Sequence, residues 1–146
     1  MAIQIDPAAA AAIRSHLEAA YPEEGAGFLL GEVDGDDVRY VREVIPAANS
    51  SENGVRRSRY LITPHDTVKA DLEAEARGLE ILGVFHSHPD VPNVPSEFDR
   101  EWALPWYSYT ITRVDGGRAA GTRSWRLTDD REKFIEEPVL SEDVHL

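Results

Sequence analysis

The sequence predicts a mixed α/β domain, one sheet with helices packed against it. Three observations carry that reading: a proline-initiated, alanine-rich helical segment after Asp6, a continuous apolar run from Ile81 to Phe85, and paired β-rich segments joined by Asp/Gly turns. The 146 residues and 42% hydrophobic content suit a single domain over residues 1–146 with a real core.

Asp6-Pro7 opens a capped helix through Ala20, with proline in its first turn and Ile13 and Leu17 facing the core. Tyr21-Pro22 ends it, because a residue before proline is pushed out of the helical region. Gly27 to Val33 and Val38 to Ile45 read as a hairpin around Asp34-Gly35-Asp36. Residues 47–59, with Asn49, Ser50, Ser51, Asn53 and Gly54, read as a loop. A short strand is expected at Tyr60 to Ile62. Thr63-Pro64 then caps a helix through about Arg77, which Gly78 stops.

Ile81 to Phe85 reads as a buried central strand, and Pro89, Pro92 and Pro95 interrupt regular structure until Ser96. A short helix is expected from Glu97 to Leu104. Trp106 to Val114 and Ala119 to Leu127 form strands around Asp115-Gly116-Gly117. Phe134 to Val139 is a last strand, placed at an edge by Pro138.

Composition narrows the function classes. There is no cysteine, so disulfides and thiolate metal sites are excluded, and a reducing cytoplasm is the expected location. No run of about 18 apolar residues is present to span a membrane, and the N-terminus lacks a secretory pattern. The net charge of -12, from 27 acids against 15 Lys and Arg, disfavours nucleic acid and anionic membranes as partners.

His86 and His88 sit at the end of the apolar run. Two residues apart on a strand, they share one face with roughly 7 Å between their backbones, a spacing from which two imidazoles can converge on one metal. Equally, the pattern fits a strand that simply surfaces. Asp99, eleven residues beyond His88, is an ordinary third zinc ligand. Ser96, three residues before Asp99, can share its side of the first helical turn, although Ser-x-x-Asp is also a plain capping arrangement.

The string His86-Ser87-His88-Pro89, six residues, then Ser96-Glu97-Phe98-Asp99 resembles the JAMM/MPN+ metallopeptidase motif, H-x-H-P-x6-S-x2-D. Upstream, Glu24-Gly25-Ala26-Gly27 is similar to the E-x-x-G segment of that family. The resemblance implies a JAMM/MPN layered sandwich, similar to the cytidine deaminase fold, with Zn2+ as cofactor. It implies His86, His88 and Asp99 as metal ligands, Glu24 as general base and Ser96 as a donor to the oxyanion. It also implies hydrolysis of a peptide or isopeptide bond at the Gly-Gly tail of a ubiquitin-like or sulfur-carrier protein.

Two other classes stay open: a non-catalytic scaffold of the same fold, and a non-haem Fe(II) enzyme, whose facial triad is likewise two histidines and a carboxylate. His16, His65 and His145 lack partners at ligand spacing and read as surface or packing residues. Trp102, Trp106 and Trp125 read as core or core-edge residues. Arg56, Arg57 and Arg59 form a basic cluster, either a solvated loop or a receptor for an acidic partner.

Overall fold

The computed structural model describes residues 1–140. Its elements are β1 (Ala2–Ile5), α1 (Pro7–Ala20), β2 (Ala26–Val33), β3 (Val38–Ala47), a 3-10 turn (Asn53–Val55), α2 (Pro64–Ala76), β4 (Glu80–Pro89), α3 (Glu97–Trp102), β5 (Ser108–Asp115), β6 (Arg118–Leu127) and β7 (Phe134–Glu137). The strands form one mixed sheet of order β1-β3-β2-β4-β5-β6-β7. Strand β4 lies in its middle, antiparallel to β2 and parallel to β5. Burial on both faces explains why its first half reads as an uninterrupted apolar run.

Each face of the sheet carries its own helices. Ala9, Ala10, Ile13 and Leu17 form the buried stripe of α1 and pack on Ile3, Ile5, Leu29, Val41, Leu82 and Phe85. Ile13 and Leu17 are fully buried, each contributing about 1.5–3 kcal/mol of apolar burial. On the opposite face Ala70 and Ala74 of α2, with Ala103, cover Phe28, Leu30, Ile81 and Val84. Small residues let the helix lie close to the sheet. At Gly83 a Cβ would stand 1.8 Å from the Ser108 carbonyl oxygen, so β4 and β5 can pair there only around glycine.

The sheet curls until its edges meet. Ile3 N donates to Pro138 O at 3.0 Å and Leu140 N donates to Ile3 O at 2.7 Å, so the segment after β7 covers the free edge of β1. Among the described residues no helix is long and apolar enough to cross a membrane.

Several expectations need correction. Asp6 precedes α1 but makes no side-chain cap; its carboxylate binds Arg42 at 3.1 Å instead. Tyr60 to Ile62 is not a strand, because Leu61 spends its N–H on the Asn49 side chain and its carbonyl on Ser50 N rather than on a ladder. Helix α3 stops at Trp102, two residues early, since Ala103 is extended and Leu104 precedes Pro105. Trp125 is buried, but Trp102 is 63% and Trp106 49% exposed. Trp102 ends a short helix and stacks only on Phe98, and Trp106 lies over the Arg39 guanidinium at 4.2 Å. His16 packs edge-on against Phe85, His65 is exposed, and His145 lies outside the described residues.

Candidate metal centre

The end of β4 delivers two histidines to one point. His86 is fully buried and His88 is 4% exposed, and their alternate positions bring the ring centroids to 5.3 Å. The first turn of α3 brings Asp99, and the segment between α1 and β2 brings Glu24; both are buried. One ligand atom from each of Glu24, His86, His88 and Asp99 lies within 4.8 Å of all the others. His88 Nε2 is 3.1 Å from Asp99 Oδ2, His86 Nε2 is 3.9 Å from Asp99 Oδ1, and His86 Nδ1 is 3.8 Å from Glu24 Oε1.

These contacts leave the cluster chemically incomplete. Both ring nitrogens of His86 and Oε1 of Glu24 are buried without a hydrogen-bond partner. Such an orphan costs about 1–3 kcal/mol, and since one His86 nitrogen carries the proton, the other nitrogen and Glu24 Oε1 are two unmet acceptors near one point, a reason to expect a cation. A set of two imidazoles and carboxylate oxygens fits a divalent metal of the zinc type. His88 is prepared for ligation from behind. Its Nδ1 lies 2.8 Å from the Pro92 carbonyl, which can only accept, so Nδ1 carries the proton and Nε2 faces Asp99.

The electrostatics agree. Burial lifts the Glu24 carboxyl to about 8, with Asp99 adding to the shift and His88 opposing it. Burial pulls His86 down to about 4. Burial also acts to lower His88, but its hydrogen bonds to Asp99 and Pro92 prevail and hold it above its ordinary value. Asp99 falls well below the usual carboxylate range, because His86, His88 and the Ser96 N–H outweigh its burial.

Ser96 stands at the N-cap of α3, where its Oγ accepts from Asp99 N at 3.1 Å while its N–H donates to Asp99 Oδ2 at 2.9 Å. This full capping box leaves the hydroxyl proton free to donate elsewhere. The same Asp99 oxygen is the one beside His88, so the cap also fixes the carboxylate's orientation.

Three further residues hold the site and were not legible beforehand. Ser87, between the histidines, accepts from Gly25 N at 2.9 Å and anchors the chain just after Glu24. Asn49 donates to Glu24 O at 2.9 Å and Arg59 O at 2.8 Å, and accepts from Ser51 N and Leu61 N, so one amide organises the loop around Glu24. The Tyr60 ring covers His86, with centroids 4.5 Å apart. In the sequence Asn49 is one of five loop-forming residues, and only the hydrogen bonds distinguish it.

Comparison with known proteins gives consistent matches. A family model described as prokaryotic homologs of the JAB domain matches residues 6–128. A probable TtuB-protein conjugate cleaving protease of Thermus thermophilus is 36% identical over 109 residues, 73% of this chain and 66% of that protein, just under two thirds of its length. A desampylase of Haloferax volcanii is 35% identical over 115 residues, 78% of each chain. The solution structure of a Salinibacter ruber protein superposes with a TM-score of 0.72 at 36% identity, covering 98% of this chain and 95% of that one.

Proposed function

The chain belongs to the prokaryotic JAB-domain family, and from that premise we propose that it is a zinc-dependent isopeptidase that cuts after the Gly-Gly tail of a ubiquitin-like or sulfur-carrier protein. The observation that carries this reading is the buried Glu24, His86, His88, Asp99 cluster with its orphaned lone pairs. The names of the Thermus and Haloferax relatives, a conjugate-cleaving protease and a desampylase, support the substrate class. One continuous sheet with a core on each face supports action as a single domain. A cysteine-free chain suits the reducing cytoplasm, its proposed location.

In this reading His86, His88 and Asp99 hold the metal. Zinc, when bound, lowers the pKa of water to about 7 and polarises a carbonyl. Glu24, held at its own backbone by Asn49 and Arg56, takes the proton of the attacking water on Oε1 and returns it to the leaving amine. Ser96 donates its free hydroxyl proton to the oxygen of the carbonyl under attack.

The test is cleavage of a linear Gly-Gly-tailed carrier fusion by zinc-loaded protein. Wild type cuts at the tail, and Glu24→Gln keeps its metal but loses about 10²–10⁴-fold in rate. Equal rates for the two would remove Glu24 from its role. No cleavage by metal-loaded wild type would favour the scaffold reading, and selective retention of iron would favour the Fe(II) reading.

A further inference from the structure

From Asn53 to His65 the chain has no Asp or Glu, although acids number 27 of its 146 residues, and within that stretch stand Arg56, Arg57 and Arg59. The backbone of this stretch lies beside the histidine and carboxylate cluster. Arg56 O accepts from Glu24 N at 2.7 Å, Arg59 O accepts from Asn49, and the next residue, Tyr60, covers His86. Arg59 reaches α3, its guanidinium 4.6 Å from the ring of Phe98, the neighbour of Asp99. Arg57 and Arg59 are exposed, and Arg56 is tied back to Ser51 O at 2.7 Å.

Several arginines elsewhere are ion-paired within the chain, while Arg131 is spent on backbone carbonyls. Arg42, Arg77, Arg113, Arg123 and Arg126 each hold a carboxylate of this chain. Among the described residues no carboxylate lies within ion-pair distance of Arg57 or Arg59. On a protein of charge -12, self-pairing is the easy outcome; Arg59 instead lies over Phe98 and Arg57 feels Asp90 only beyond ion-pair distance, so both exposed charges remain available beside the histidine and carboxylate cluster.

Building on the isopeptidase reading, we propose that Arg57 and Arg59 form a basic docking rim that takes an acidic face of the ubiquitin-like protein whose tail enters the cleft. Charge interactions at the surface fade over about 10 Å at 0.1 M salt, so a docked partner feels the rim rather than the distant acids. The overall negative field repels the same partner elsewhere, so the rim also selects its orientation.

The experiment measures binding without turnover. A fluorescently labelled acidic sulfur-carrier protein with a Gly-Gly tail is titrated with zinc-loaded Glu24→Gln protein at 0.1 M salt, and anisotropy is read. Adding Arg57→Glu and Arg59→Glu together raises Kd about ten-fold, a difference that shrinks at 0.5 M salt. Lys133→Glu, between the end of β6 and the start of β7, leaves Kd unchanged. A carrier whose acidic face is reversed to lysine binds the double variant better than the parent.

Equal Kd for parent and rim variant, or an equal loss from Lys133→Glu, overturns the proposal. Zinc content matching the parent shows that the rim variant is folded. Cleavage of the tail by wild type is scored separately. Binding shifts without cleavage would sink the isopeptidase reading and leave the rim; cleavage without binding shifts would do the reverse.

Discussion

The protein buries a polar cluster at each end of its central strands, and the two are built on opposite chemical plans. At the end where β3, β4 and β5 begin, Arg39 is 2% exposed and donates to Leu82 O and Ser108 Oγ at 3.1 and 3.0 Å. Beside it Arg126 grips Glu137 at 3.0 Å and Asp37 at 2.8 Å, and Ser124 donates to the other oxygen of Glu137. Each of these carboxylates meets donors; the orphans left over, Arg39 Nε and Arg126 Nη2, are themselves donors. At the end where β4 finishes, the leftover orphans include acceptors: Glu24 Oε1 and whichever ring nitrogen of His86 lacks the proton. Arg39 and Glu137 are as deeply buried as the histidines, so burial alone does not identify a site. The mismatch does.

The contrast can be broken most strongly at the self-satisfied end. Arg126→Met leaves Glu137 buried and without its cation, and costs about 3–5 kcal/mol in denaturant unfolding. The corresponding change at the other end has the opposite sign. His86→Leu removes two orphaned nitrogens, so the chelated protein becomes about 1–3 kcal/mol more stable while metal retention is lost. A loss of stability in chelated His86→Leu would show that the cluster is satisfied without a cation.

The pH dependence of the metal-free protein sharpens the point. Glu24 binds its proton more tightly folded, at about 8, than at its ordinary 4.5. Its contribution is therefore complete at low pH and disappears as pH rises through about 8. His86, depressed to about 4 from 6.5, contributes above 6.5 and loses that contribution as pH falls through about 4. Between about pH 6.5 and 8 the Glu24 loss proceeds while His86 no longer titrates, and the raised His88 adds to it, so the melting temperature of chelated wild type declines there and levels off above about 8. In Glu24→Gln that decline is reduced.

The smallest effect is at the cap. Ser96→Ala removes one acceptor at α3 and costs about 1 kcal/mol. If its hydroxyl also serves the oxyanion, kcat falls by about 10²–10³-fold with the metal retained. Stability loss without that rate loss would restrict Ser96 to capping.

Much of this was legible in the sequence because local rules govern it. Pro7 and Tyr21-Pro22 bound α1, Gly78 with φ 71° stops the helix before β4, and the apolar run marks the central strand. The four clustered residues carry a spaced motif, which survives in sequence whatever the tertiary path. What was hidden depends on contacts between distant segments. Nothing local in the sequence marks Arg39 for burial, yet it is 2% exposed with the Trp106 ring over its guanidinium. Trp106 reads as core or core-edge, and its half-exposed ring lies against the buried Arg39 guanidinium. Tyr60 to Ile62 has strand propensity, but Asn49 takes its backbone bonds first.

The most direct test of the metal centre is elemental analysis after mild chelation and reloading with zinc, on wild type and on His88→Ala. The account predicts about one zinc per chain in wild type and none in the variant. No zinc retained by wild type, or equal zinc in both, would contradict it.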